Sequence, residues 1–163
     1  MKYIKILFFN ILLFYGSYIY ADSNFAHAKL ADKLYKPWGI AVLDDDHLLV
    51  TQKSGELFKI NIRNKTKTEI DHNLIVNEYG QGGLLDVLYY NEKVYVSYAE
   101  ERDDENYSTS VAVGELKGNS ISFNNIFQSE PPIKSKIHFG SRLEIKNDHL
   151  FITVGERQTG KLT

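Results

Sequence analysis

Three windows of the chain repeat one pattern, and that repetition limits the possible folds more than any other feature. The first reads Gly39-Ile40-Ala41-Val42-Leu43, three acidic residues, then His47-Leu48-Leu49-Val50-Thr51. The second reads Leu85-Asp86-Val87-Leu88-Tyr89, a polar turn, then Lys93-Val94-Tyr95-Val96-Ser97. The third reads Ser141-Arg142-Leu143-Glu144-Ile145, a polar turn, then His149-Leu150-Phe151-Ile152-Thr153. Each is a strand, a tight turn and a second strand closing on a hydroxyl residue. His47, Lys93 and His149 mark the same place in the pattern, 46 and then 56 residues apart. All-strand repeats of roughly 40–50 residues are the signature of propeller blades of four antiparallel strands.

The remaining apolar runs fit that count. Gly55–Ile62 and Thr66–Ile70 complete a first blade, and Ser110–Leu116 and Ser120–Phe127 complete a second. A β-sandwich also shows many short strands. The near-identity of Asp46-His47-Leu48 and Asp148-His149-Leu150 favours the propeller. The fold class is therefore all-β, a β-propeller of which about two and a half blades are present over residues 22–163. A propeller hides its edges only by closing its ring, so the chain is expected to be the N-terminal part of a longer protein. By itself it should show an uncovered sheet edge.

The opening residues stand apart. Lys2 and Lys5 precede an almost wholly apolar run from Ile6 to Tyr15, and Ala21 supplies a small residue at the exit. Residues 1–21 read as a secretory signal peptide; an uncleaved anchor is the alternative. The remainder is expected to be periplasmic or secreted, with no membrane contact after signal cleavage. Removing Lys2 and Lys5 moves the formal charge from −2 to −4. A mildly acidic chain with no Lys/Arg run among aromatics has no field to attract nucleic acid. The absence of cysteine excludes disulfides and thiolate metal sites. The acidic runs Asp44–Asp46 and Glu100–Glu105 lack the alternating ligand spacing of a calcium loop and read as solvated turns.

In an antiparallel blade, the start of the first strand and the end of the second share one face of the disc. That face gathers Lys36-Pro37-Trp38, Gly80-Gln81-Gly82-Gly83 and Ile137-His138-Phe139-Gly140 with Gln52-Lys53-Ser54, Tyr98-Ala99-Glu100 and Val154-Gly155-Glu156. His47 and His149 repeat and belong to the framework. His138 does not repeat; its counterparts by simple spacing are Lys36 and Gly82. Glu156 is predicted beside it, and a carboxylate next to an imidazole fixes the tautomer a general base needs. The glycines around Gln81 leave room for a flat ligand to approach the backbone, or simply make a tight turn. Asp86 and Arg142 share a repeat position and can pair with each other. Trp38 is expected to be core.

At these residues the chain resembles the soluble, exported quinoprotein sugar dehydrogenases of the glucose/sorbosone dehydrogenase type. Pro37-Trp38-Gly39, Gly80–Asp86, Val94–Glu100, His138–Leu143 and Leu150–Glu156 carry the resemblance, in order along the chain. The resemblance implies a six-bladed propeller holding pyrroloquinoline quinone (PQQ) and Ca²⁺, the calcium ligands lying in later blades. It implies that His138 takes the proton of an aldose anomeric hydroxyl while a hydride passes to the quinone, and that an external acceptor removes the electrons. Glu156 stands where the family places the carboxylate orienting the histidine, a position that is Asp in some members. Gln81 and Arg142 are the cofactor-binding candidates, and no residue is assigned to a metal. The competing function is a non-catalytic propeller that binds a carbohydrate or a protein partner. Oligomeric state is not encoded in any motif.

Overall fold

A computed structural model describes residues 27–158; segment 1–21, read above as a signal peptide, lies outside the described residues. Eleven strands and no helix make up the described chain. The first blade is β1 (Pro37–Val42), β2 (His47–Gln52), β3 (Leu57–Asn61) and β4 (Lys67–His72), joined antiparallel in that order. The second is β5 (Leu84–Tyr90), β6 (Lys93–Asp103) and β7 (Asn106–Lys117), with β8 (Ser120–Ile121) and β9 (Asn124–Gln128) both paired to β7. The third is the hairpin of β10 (Gly140–Lys146) and β11 (His149–Val154). A short parallel contact of β4 with β8 links the first two blades. This is the propeller the repeat predicted.

Two details differ from the sequence reading. The run Ser120–Phe127 is not one strand but β8 and β9, because Ser122 and Phe123 break the pairing to β7. Glu100–Asp103 is strand rather than solvated turn: β6 and β7 continue as a long hairpin whose turn is Asp104-Glu105. Asp104 and Glu105 both have positive φ, as do Asn91-Glu92 and Asn147-Asp148, so these three hairpins use the two-residue turn whose twist matches paired strands.

The core forms where blades face each other. Leu49, Leu57 and Ile70 of the first blade pack with Leu84, Val87, Val94 and Val96 of the second. A separate cluster of Leu85, Ala99, Tyr107 and Phe139 joins the second blade to the third, with Trp38 and Tyr79 packed against it.

The hydroxyl residue carried by each second strand, Thr51, Ser97 or Thr153, explains why the pattern repeats. Every first strand carries a register irregularity near its start, between Pro37 and Ile40, Leu84 and Val87, and Gly140 and Leu143. At that irregularity the amides of Gly39, Asp86 and Arg142 donate to Thr51 Oγ1, Ser97 Oγ and Thr153 Oγ1, at 2.8, 3.0 and 2.8 Å. Thr51 Oγ1 in turn donates to Leu85 O of the next blade at 2.5 Å, and Ser97 Oγ to Ser141 O at 2.6 Å. Each hydroxyl thus closes the irregularity in its own blade, and Thr51 and Ser97 also hold the blade after it. These bonds also fix the structural alignment: Gly39, not Ile40, corresponds to Asp86 and Arg142. The turn after β1 is one residue longer than its counterparts, so the blade-one counterpart of His138 is Tyr35 rather than Lys36.

Candidate functional site

His138 enters β10 from a loop with φ of +54°, and its amide donates to Gln81 Oε1 at 2.9 Å. Its Nδ1 is hydrogen-bonded to Glu156 Oε1. An ionised carboxylate can only accept, so Nδ1 carries the proton in this pair, and in the neutral ring Nε2 is left as the acceptor. Two glycines make the approach possible. Gly140 has φ of +76°, and a β-carbon on Gly155 would lie 1.9 Å from His138 O. The backbones entering β10 and leaving β11 therefore touch, which brings Glu156 beside the imidazole. His138 and Glu156 remain open to solvent, with side chains 46% and 31% exposed.

A cavity of about 240 Å³ adjoins this pair, lined by Trp38, Lys53, Gln81, Leu85, His138, Phe139 and Gly140. Three of the blade entrances named from the sequence thus meet at one place. Trp38 packs against the core cluster beneath the site and also forms part of the cavity wall. Gln81 commits its side-chain oxygen to the His138 amide, so its role within the described residues is to seat the histidine.

The glycines flanking Gln81 serve the fold. A β-carbon on Gly80 would meet Lys136 O at 2.3 Å, on Gly82 would meet Ala99 and the Phe139 ring, and on Gly83 would meet Lys53 O at 2.2 Å. Protein atoms, not ligand space, occupy those positions. The segment is a tight turn, closed by the Gly82 amide donating to Tyr79 O at 2.9 Å.

Arg142 and Asp86 do pair, through Nη1 and Oδ1 at 3.1 Å, and Asp86 Oδ2 also accepts the Leu143 amide at 2.8 Å. The Asp86 side chain is 4% exposed and that of Arg142 is 66% exposed. The arginine compensates a buried carboxylate while its guanidinium lies 5.8 Å from the Trp38 ring centroid. His47 and His149 behave as framework: His47 bonds Asp44 and Asn61, and His149 bonds Asn147 O in its own turn.

Lys53 and Arg157 are the site-adjacent residues that sequence reasoning left without a role. Lys53 Nζ donates to Gly80 O at 2.7 Å and brings a cation to the cavity wall. Arg157 is buried under the His138 loop, and that burial pushes its pKa down to about 10. Lys53 could have been found from its place at the exit of β2; nothing in the pattern marks Arg157.

A histidine bonded to a carboxylate thus stands at the blade mouth of a propeller, next to an aromatic and cationic cavity. The chain belongs to the Glucose / Sorbosone dehydrogenase family, whose model matches residues 34–163. It is 34% identical over 137 residues to the aldose sugar dehydrogenase YliI of Escherichia coli (strain K12), covering 78% of this chain and 37% of that protein. The soluble aldose sugar dehydrogenase of Escherichia coli, solved in the apo-form, superposes with a TM-score of 0.73 at 33% identity, over 80% of this chain and 40% of that one. The PQQ-bound form of the Streptomyces coelicolor aldose sugar dehydrogenase shares the fold at a TM-score of 0.65 and 23% identity, over 80% and 41% of the two chains. The chain therefore spans about two fifths of the length of these relatives.

Proposed function

We propose that this chain carries the proton-accepting part of a PQQ-dependent aldose dehydrogenase. The single observation behind this reading is the His138–Glu156 pair at the cavity of Trp38, Gln81 and Lys53. His138 Nε2 accepts the proton of the sugar's anomeric hydroxyl, and Glu156 holds the ring so that Nε2 is the bare nitrogen. Gln81 fixes the backbone that carries the imidazole. PQQ, when bound, supplies the two-electron sink, and an external acceptor empties it.

The residues present suit one edge of a flat, polycarboxylated quinone: Trp38 offers ring surface, and Lys53 and Arg142 offer cations. Calcium is a different matter. Among the described residues no group of three or more His, Asp or Glu side chains comes together, so no residue here is assigned to it. Residues 1–21 support placing the protein in the periplasm or outside the cell.

The test is dye-linked aldose oxidation by the native gene product supplied with PQQ and Ca²⁺. His138→Gln should lower kcat by about 10²–10⁴, the usual contribution of a positioned base. Trp38 lines the cavity, so quenching of tryptophan fluorescence that is lost in Trp38→Phe should report PQQ binding in both forms. Near-normal turnover by the variant would overturn the role of His138; binding of a sugar without oxidation would favour the non-catalytic propeller.

A further inference from the structure

Arg157 follows Glu156 directly, is 3% exposed, and spends its donors on backbone carbonyls. Its Nε donates to Ile137 O at 3.0 Å, its Nη1 to Tyr107 O at 2.9 Å, and its Nη2 to Ser135 O. The guanidinium carbon lies 3.7 Å from the Phe139 ring centroid. These contacts bracket His138, at residues 135 and 137 before it and at residue 139 after it. The contact to Tyr107 ties the same loop to β7, where Tyr107 and Ile133 exchange backbone hydrogen bonds at 3.0 and 3.1 Å.

Successive side chains of an extended strand point to opposite faces, so Glu156 and Arg157 would ordinarily reach different partners. Here both reach the His138 loop. The chain has left strand geometry at this point, with φ of +56° at Arg157 and +59° at Gln158. The same consecutive left-handed pair makes the three hairpin turns, and here it follows the end of a strand. Burying a guanidinium is costly unless its donors are satisfied. Neither feature is needed to complete β11, which ends at Val154. Both are explained if the turn exists to deliver two grips on one loop, Glu156 on the imidazole and Arg157 on the backbone around it.

We propose that Arg157 is a positioning residue that clamps the 135–139 loop and thereby keeps the His138 ring in the Nδ1–H tautomer against Glu156. Its catalytic consequence rests on the function proposed above; the tautomer itself does not.

The experiment is long-range ¹H–¹⁵N correlation of the histidine rings at pH 8.5, where ordinary imidazoles are neutral. It compares the native protein with Arg157→Gln and Arg157→Lys, the His138 signals being assigned by their loss in His138→Gln. The native protein should show a protonated Nδ1 and a bare Nε2. Arg157→Gln should move both nitrogens toward the averaged values of an exposed histidine and lower kcat about tenfold with little change in KM. Arg157→Lys, which keeps the charge but not the planar fork, should recover only part of each effect. A native signature retained in Arg157→Gln overturns the proposal, as does a native protein lacking the Nδ1–H form. Failure of both variants to fold also overturns it, by assigning Arg157 to the fold as a whole. If the tautomer shifts as expected but the native protein oxidises no aldose, the clamp stands and the dehydrogenase reading falls.

Discussion

Gly155 shows how little slack surrounds the histidine. With a β-carbon 1.9 Å from His138 O, 2.6 Å from its carbonyl carbon and 3.1 Å from Gly140 N, any side chain at residue 155 pushes backbone against backbone. No rotamer relieves such a contact. We expect Gly155→Ala to destabilise the protein by about 2 kcal/mol, within the usual range for overpacking. The same shift should pull His138 away from Glu156, so activity should fall further than the loss of folded protein explains. Urea unfolding and active-site turnover measured on one preparation separate the two effects. At this scale the sequence was informative where a residue broke a pattern. His138 stood out because neither neighbouring blade has a histidine there, and Glu156 because strand pairing brings the two positions together. Arg157 gave no such signal: its reach depends on a left-handed turn that arginine rarely adopts, and no spacing rule announces that. The glycines near Gln81 were visible, but whether a missing β-carbon leaves room for a ligand or for Lys136 is decided only by tertiary packing.

The unit that repeats is the hairpin with its hydroxyl, and Ser97 is the one most fully used. It accepts the Asp86 amide and donates to Ser141 O while fully buried. Ser97→Ala leaves a buried N–H and a buried carbonyl unpaired at once. The expected cost is about 2–4 kcal/mol, since each orphaned group forfeits roughly 1–3 kcal/mol. Equilibrium denaturation reads it directly; a change below about 0.5 kcal/mol, the scale of an ordinary surface substitution, would show that the link carries no strain. Strand pairs were legible because alternation and tight turns are local properties. Their exact alignment was not, because His47 and His149 match in sequence while the turn before His47 is one residue longer. Only the pairing of Ile40 with Val50, against Val87 with Val96 and Leu143 with Ile152, exposes that extra residue. The reach of β6 through Glu100–Asp103 was hidden for a related reason. Charge suggested a solvated turn, but the cross-strand partners on β7 outweigh it.

Across the whole molecule the apolar surface is uneven. Ile40 and Val42 on β1 are 64% and 68% exposed, and Phe151 and Val154 on β11 are 57% and 46% exposed. Contiguous exposed apolar residues on a soluble protein mark surfaces that take a partner or a further layer. Replacing Ile40 and Val42 together by Thr keeps the β-branching a strand prefers and removes the apolar face. Binding of a hydrophobic dye to residues 22–163 should then fall with the far-ultraviolet spectrum unchanged. Unaltered dye binding would place the sticky surface elsewhere.

The link between blades has a direction, and that direction divides the chemical requirement unequally. Thr51 and Ser97 must be hydroxyl residues, but what they hold in the next blade is a main-chain carbonyl, which every residue possesses. The receiving positions are accordingly free to differ, and they do, being leucine in one blade and serine in the next. A ring assembled this way lets the residues facing its mouth drift from blade to blade without loosening the ring, and one such position can become a histidine while its neighbours remain a glycine and a tyrosine.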